Sequence, residues 1–163
     1  QTVASMNPQY VKGKCGLDLI PRVIADKPDV VFIEFAVNDA HVPYGISVAQ
    51  CRSNLETIID GLQTAHPRVE IILQTMNTVH NVPGHAAKPQ TDRPQLNAYN
   101  QVYRDVAAEH KLLLIDHYPN WQQLLQDAPA SFIKYVPDGI HPQLPGYRAI
   151  LLPELKRSLR VHD

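Results

Sequence analysis

Residues 29–39 read Asp-Val-Val-Phe-Ile-Glu-Phe-Ala-Val-Asn-Asp, and this stretch decides the fold. The short apolar run from Val30 to Ile33, which Phe35 extends, is rich in β-branched residues. A run that is apolar on both faces predicts a strand inside a parallel sheet that helices cover. Ligands of such sheets bind just beyond the carboxyl ends of the strands, where this sequence places Asn38 and Asp39. Taken alone, that dipeptide is more typical of a simple turn.

Length and charge limit the classes of function. A chain of 163 residues can bury a sizeable core, and we expect residues 1–163 to form a single domain. The formal net charge of −1 does not favour binding to nucleic acid or to an anionic membrane. No apolar run is long enough to cross a bilayer, and the sequence does not indicate a compartment. Cys15 and Cys51 lack the spacing of a metal site and are either buried thiols or one disulfide.

Segments with strand and helix patterns alternate along the chain. Strands are predicted over 2–6, 29–35, 69–75 and 112–116. Helices are predicted over 17–24, 48–65, 94–106 and 120–126 and from about 144 onwards, with a capping box formed by Ser47 and Gln50. We expect a long loop over 76–93 and mostly irregular structure over 129–140. This order predicts a parallel sheet with helices on both faces.

Polar residues follow the predicted core strands. Asn38 follows the first of them, Thr75-Met76-Asn77 follow the second, and Asp116-His117 follow the third. Because the carboxyl ends of parallel strands meet at one edge of a sheet, we expect these residues to converge there. The convergence predicts a functional site.

A second candidate motif is Asp138-Gly139-Ile140-His141-Pro142, just before the last predicted helix. An acid three residues before a histidine can fold back, so that the carboxylate meets one imidazole nitrogen and leaves the other free as a base. Gly139 lets such a turn close. The motif is a weak signal by itself, and a surface turn is the commoner reading. It gains weight beside Asn38-Asp39.

These two motifs resemble those of the SGNH (GDSL-type) hydrolases, a family of esterases and lipases. The resemblance rests on residues 27–40 and 138–142 and on the order of elements between them, which together span nearly the whole chain. It implies a flavodoxin-like three-layer α/β/α fold and ester hydrolysis through a Ser-His-Asp triad. We expect neither a cofactor nor a metal ion.

The resemblance also assigns roles to individual residues. It implies that His141 is the general base, that Asp138 is its orienting acid and that Asn38 donates to the oxyanion through its side-chain amide. Gly13 is the candidate for a second, backbone oxyanion donor, with Gly16 as the next choice. Asp39 is expected to hold the loop rather than to take part in the chemistry.

The sequence departs from the family pattern in two places. Ala36 stands where the block around the asparagine usually has glycine. The Gly-Asp-Ser motif that carries the nucleophile and ends the first strand of the family is not found. Ser5 and Thr2 lie too close to Asn38 in sequence to replace it. We therefore expect a sheet that lacks its first strand, in a chain that is the C-terminal part of a longer polypeptide or receives the strand from another chain or segment.

Further candidates lie on the long loop and after the third strand. Asn77 and His80 are candidates for substrate binding. His80 and His85 could also bind a metal ion together with His41, although solvated loop histidines are commoner. Asp116 and His117 could support the site or cap the next helix. Trp121 is expected to pack rather than to form a platform for a sugar.

Three functional hypotheses follow. The leading one is hydrolysis of a small-molecule ester with a short acyl group, such as an acetyl group on a carbohydrate, by a triad whose serine lies outside this chain. The second is an inactive fragment or a non-catalytic binding module that keeps the pocket. The third is a metal-dependent phosphoesterase that uses Asn38, Asp39, His80 and His141. Insensitivity to a chelator would exclude the third, and labelling by a serine-directed phosphonate separates the first two.

Overall fold

The computed structural model describes residues 16–160. The predicted strand over 2–6 and the candidate residues Thr2, Ser5, Gly13 and Cys15 lie outside this range. Among the described helices, none is both long enough and apolar enough to pass through a lipid bilayer.

The centre of the fold is a parallel sheet of three strands, β1 (Val30–Ile33), β2 (Glu70–Gln74) and β3 (Leu113–Ile115), in the order β1-β2-β3. Ile33 pairs with Leu73 at the end of β1, and Gln74 pairs with Ile115 at the end of β3. The three carboxyl ends therefore meet at one edge of the sheet. This arrangement confirms the α/β class and the parallel sheet expected from the sequence.

Helices connect the strands and cover the sheet. They are α1 (Gly16–Asp26), α2 (Ala36–Asp39), α3 (Val48–Ala65), α4 (Pro89–Asp92), α5 (Leu96–His110), α6 (Tyr118–Asp127), α7 (Pro129–Tyr135), α8 (Leu144–Gly146) and α9 (Leu152–Ser158). The start of α3 follows the sequence prediction, because the Ser47 hydroxyl accepts a hydrogen bond from the Gln50 backbone N–H. A π-helical segment, Tyr147–Leu151, joins α8 to α9.

The core consists of two clusters. The larger one packs β1 and β2 against α3 and α5 and contains Leu55, Ile59, Leu73 and Tyr103, all fully buried. The smaller one joins α6 and α7 through Trp121, Phe132 and Val136. Partly buried residues of α1 complete the larger cluster, and Pro21 lies inside that helix.

The prediction that β1 is buried on both faces is wrong. Val30 is 41% exposed and Phe32 is 45% exposed, whereas Ile33 is buried. The reason is the position of β1 at one end of the described sheet, where it pairs with β2 alone. The strand is also shorter than predicted, since Phe35 already precedes the first residue of α2.

Two predictions near the C-terminus also need correction. Residues 129–135 form α7 and are not irregular, because Pro129 opens a helix that buries Phe132 against Trp121. In the last helical region, the apolar spacing of Tyr147, Ile150, Leu151 and Leu155 predicts that these residues face inwards, but Tyr147 is 45% exposed and Glu154 is buried instead. The π-helical segment shifts the phase of the helix, so that an ordinary helical period misplaces the buried face.

Candidate active site

The chain turns sharply at the carboxyl end of β1. The Phe35 backbone N–H donates to the Tyr103 hydroxyl over 2.9 Å, and the chain then enters the short helix α2, which contains Asn38. The Val37 carbonyl accepts a hydrogen bond of 2.7 Å from Arg93 Nε. The side-chain amide of Asn38, in contrast, has no hydrogen-bond partner within residues 16–160. The turn thus fixes the backbone around Asn38 and leaves its amide available.

Asp138 and His141 form a closed turn before α8. His141 Nδ1 donates to Asp138 Oδ2 over 2.6 Å, while the backbone N–H groups of His141 and Ile140 donate to Oδ1 over 2.7 and 2.9 Å. Partial burial acts to raise the pKa of Asp138, but these hydrogen bonds outweigh it and hold the pKa below its usual value. An ionised Asp138 can only accept, so the Nδ1–H tautomer of His141 is favoured and Nε2 can act as a base.

The loop after β2 holds this turn in place. Asn77 Nδ2 donates to the Ile140 carbonyl over 2.8 Å, and the His80 backbone N–H donates to the Gly139 carbonyl over 3.0 Å. Gly139 has a φ of +78°, and a Cβ there would lie 2.0 Å from the His80 carbonyl oxygen. A residue without a side chain is therefore required at position 139 for two reasons.

Residues after β2 and β3 form a second support. Thr75 Oγ1 donates to Asp116 Oδ1 over 2.7 Å and accepts from the Tyr118 backbone N–H over 3.0 Å, while Arg104 pairs with the same carboxylate. His117 is 1% exposed and its Nε2 lies 3.0 Å from Gln74 Oε1. Burial lowers the pKa of His117 despite the nearby Glu154 and Asp116, which favours its neutral form.

These elements enclose a cleft of about 750 Å³ at the carboxyl edge of the sheet. The residues that line it lie mainly in the segments that follow the strands and in the last helical region. They include Glu34, Asn38, His41, Asn77, Asp92, Arg93, His117, Trp121, His141 and Tyr147. Burial raises the pKa of Glu34 to about 7, so its carboxyl group is largely protonated in mildly acidic solution.

The structure brings Asn38, Asn77, Asp138 and His141 together around this cleft, as the sequence predicts. It does not bring His80 there, since the His80 ring packs on Phe132 at 6.2 Å between centroids and does not line the cleft. Asp39 is fully buried and accepts a hydrogen bond from the Cys51 thiol, whose pKa burial raises. Gly13 lies outside the described residues.

Within the part of the chain that the structure describes, the cleft has neither a serine nucleophile nor a set of metal ligands. No serine lines it, and the Thr75 hydroxyl is already committed to Asp116. No group of three or more His, Cys, Asp or Glu side chains is arranged to hold a metal ion within residues 16–160. The set Asn38, Asp39, His80 and His141, on which a metal-dependent phosphoesterase would depend, is therefore dispersed.

Sequence reasoning missed two residues of the cleft. Glu34 sits inside the predicted strand, and its position beside the site depends on where β1 ends. Arg93 precedes α5 and carries no local motif, so only the tertiary contact with Val37 reveals it.

A family model matches most of the chain. The model of the GDSL-like lipase/acylhydrolase family matches residues 9–149. No match is found among proteins with curated functions.

Solved structures show the same fold. A lipase/acylhydrolase from Enterococcus faecalis is 28% identical, with a TM-score of 0.65 over 91% of this chain and 71% of that one. Axe2, an acetylxylan esterase from Geobacillus stearothermophilus, is 23% identical, with a TM-score of 0.70 over 92% and 69% of the two chains. LAE5, an alpha/beta hydrolase enzyme from the metagenome of Lake Arreo in Spain, is 22% identical, with a TM-score of 0.66 over 90% and 68%.

Proposed function

The chain belongs to the GDSL-like lipase/acylhydrolase family. We propose that it is an ester hydrolase that works through His141, Asp138 and Asn38. The observation that carries the proposal is the hydrogen bond of 2.6 Å between His141 Nδ1 and Asp138 Oδ2, beside a cleft that Asn38 also lines. The His141 side chain is 73% exposed, so a substrate can reach its second nitrogen.

In the proposed mechanism a serine hydroxyl attacks the ester carbonyl while His141 Nε2 takes its proton. Asp138 stabilises the imidazolium that forms, and the Asn38 amide donates to the developing oxyanion. His141 then gives the proton to the departing alcohol oxygen. A water molecule, activated by the same nitrogen, releases the acid from the acyl-enzyme and restores the serine.

We assign the serine to a residue outside this sequence, because the Gly-Asp-Ser motif is not found in it and the described cleft contains no serine. We also propose that residues 1–163 belong to a single domain of this family. Gly13 remains the candidate for the second oxyanion donor. Asn77 acts on the site by holding the Ile140 carbonyl, in addition to any contact that it makes with substrate.

The proposed substrate is an ester with a short acyl group, such as an acetylated carbohydrate. The support is the likeness to an acetylxylan esterase together with a cleft whose lining mixes polar groups with Trp121, Tyr147 and Leu151. A non-catalytic binding module is the second candidate, and the lack of a serine in the described cleft is the observation that favours it.

The test uses the full-length protein with a fluorophosphonate probe and p-nitrophenyl acetate. We expect covalent labelling and turnover in the parent, and near-complete loss of turnover in His141→Ala. His110→Ala, at the end of α5 and away from the cleft, is the matched control and should keep its activity. A full-length protein that neither labels nor turns over the ester would favour the binding module.

A further inference from the structure

Arg93 is a buried cation on the wall of the candidate active site. It lies between α4 and α5, is 7% exposed and lines the same cleft as Asn38 and His141. Arginine is almost never buried to this extent without a partner for its charge.

Only one of its donors is used within the described part of the chain. Arg93 Nε donates to the Val37 carbonyl over 2.7 Å. Neither Nη group forms a hydrogen bond with a residue in the range 16–160, and no described carboxylate lies within ion-pair distance of the guanidinium. The four N–H donors of the two Nη groups are thus left over on the wall of the cleft that Asn38 also lines.

Burial lowers the pKa of Arg93, and the charge of Asp92 acts in the opposite direction without a direct ion pair. Asp92 and Glu34 line the cleft, but neither forms a salt bridge with Arg93. Glu34 is largely protonated below pH 7, because burial raises its pKa to about 7. Residues 1–15 contain neither Asp nor Glu, so Asp163 is the one acidic side chain of this sequence outside the described range.

A neighbouring histidine also has a polar atom without a hydrogen-bond partner in the described part of the chain. His41 lines the same wall, and its Nδ1 is buried without a partner among the described residues. Burial lowers the pKa of His41, and the charge of Arg93 lowers it further, although Asp92 acts in the opposite direction. Both side chains thus lie on the same cleft, where each has polar atoms without a hydrogen-bond partner in the described part of the chain.

The end of a guanidinium presents two N–H groups that match the two oxygens of a carboxylate. We propose that Arg93 binds a carboxylate group of the substrate, so that the enzyme prefers esters whose acyl or alcohol part carries a negative charge close to the scissile bond. The inference rests on the proposed function and narrows its substrate class. A bound carboxylate would give the Nη groups the direct partner that the described residues do not supply, and truncation of one member of such a hydrogen-bonded charge pair is costly.

A second role for Arg93 has to be separated from this one. By holding the Val37 carbonyl, Arg93 Nε also positions the turn that carries Asn38. Loss of that contact would slow hydrolysis of every ester alike. A charge-recognition role instead changes the ratio between a charged and a neutral substrate, and this ratio is the quantity to measure.

The experiment compares 4-acetoxybenzoate with 4-acetoxybenzamide, which has the same shape and no charge. In the full-length parent we expect kcat/KM for the benzoate to exceed that for the benzamide by about tenfold or more, and this ratio to fall by about 10- to 100-fold in Arg93→Met. Arg93→Lys, which keeps the charge but loses the planar fork and the Nε contact, should retain part of the preference. Equal losses on both substrates, or no preference in the parent, would overturn the inference.

Two further measurements keep the outcome decisive. If Arg93→Met fails to fold, the test is inhibition of the parent enzyme while it hydrolyses 4-acetoxybenzamide. We expect 4-hydroxybenzoate to inhibit much more strongly than 4-hydroxybenzamide. Equal inhibition by the two compounds would refute the carboxylate site. If the parent hydrolyses neither ester, the proposed hydrolysis has failed. Calorimetric binding of 4-hydroxybenzoate against 4-hydroxybenzamide then judges the Arg93 site without turnover.

Discussion

The side-chain amide of Asn38 lines the cleft and has no partner among the described residues. We predict that Asn38→Ala in the full-length protein lowers kcat by about 100- to 1,000-fold, because an oxyanion loses a preorganised donor. The thermal midpoint should change little, since the amide holds no other group. Asn97→Ala, exposed on α5, is the matched control. An Asn38→Ala protein as active as its parent would remove this residue from the oxyanion site.

Glu34 gives the stability of the protein a pH dependence. Its pKa is about 7 in the folded protein against an ordinary value of 4.5, so between these values the folded state holds a proton that the unfolded chain releases. Stability should therefore fall as pH rises from 4.5 to 7, by at most about 3 kcal/mol. We predict that Glu34→Gln removes this loss and melts higher than the parent at pH 8.

The comparison has to be made as a difference between variant and parent. Neutral His117 adds an opposite trend, because its lowered pKa makes stability fall as pH drops below about 6.5. Glu70→Gln, at an exposed position on β2, controls for the general effect of removing a carboxylate. A Glu34→Gln protein with the same pH profile of melting as its parent would show that its surroundings in the folded protein do not raise the pKa of Glu34.

At the scale of single residues, contacts between residues that are close in sequence can be predicted from the sequence, whereas contacts between distant residues cannot. The spacing of Asp138 and His141 predicts a turn that needs only the intervening residues, and the structure contains it. The position of Arg93 on the wall of the cleft is not predictable in this way, because it depends on a contact with Val37, 56 residues earlier. The catalytic roles of these residues remain predictions.

At the scale of elements, the turn before α8 depends on its contact with the loop after β2. Gly139→Ala would place a Cβ 2.0 Å from the His80 carbonyl oxygen, in addition to the strain of a φ of +78°. We predict a loss of stability beyond the roughly 1–3 kcal/mol that such backbone strain costs, together with a large loss of activity as Asp138 and His141 separate. Chemical denaturation and ester hydrolysis measure the two effects.

Gly84 supplies the matched control for this variant. It has a nearly identical φ of +77°, but a Cβ there would meet nothing within 4 Å. Gly84→Ala should therefore show the cost of the backbone strain alone and keep its activity. Equal effects of the two substitutions would mean that the contact between the two loops does not support the site.

The elements whose positions are predicted wrongly from the sequence are those that tertiary packing determines. The strands β2 and β3 and the helices α3 and α5 lie close to their predicted ranges, because each has a regular apolar period of its own. In contrast, α7 has one deeply buried residue, Phe132, and exists because Trp121 covers it. The π-helical segment before α9 likewise has no signal in an ordinary helical period.

At the scale of the whole molecule, the sheet is open at β1. The edge of β1 opposite β2 has no partner strand within residues 16–160, and Val30 and Phe32 are exposed beside it. The groove that follows this edge is lined by apolar side chains of α1, β1 and α3, including Ile20, Val31 and Ile58. The expectation of a sheet short of one strand, which followed from the family resemblance and not from composition, stays a prediction.

The last prediction concerns the 163-residue polypeptide by itself. Its cleft contains a base and an oxyanion donor but no serine in the described part, and a base without a nucleophile cannot form an acyl-enzyme. An unpaired strand edge with exposed apolar residues also destabilises a small sheet and favours association. We therefore predict that residues 1–163 alone do not hydrolyse p-nitrophenyl acetate and do not melt cooperatively, whereas a longer polypeptide with the Gly-Asp-Ser strand does both. Cooperative melting of the short chain together with phosphonate-sensitive turnover would place the nucleophile within it, and Ser5→Ala would then be the first variant to measure.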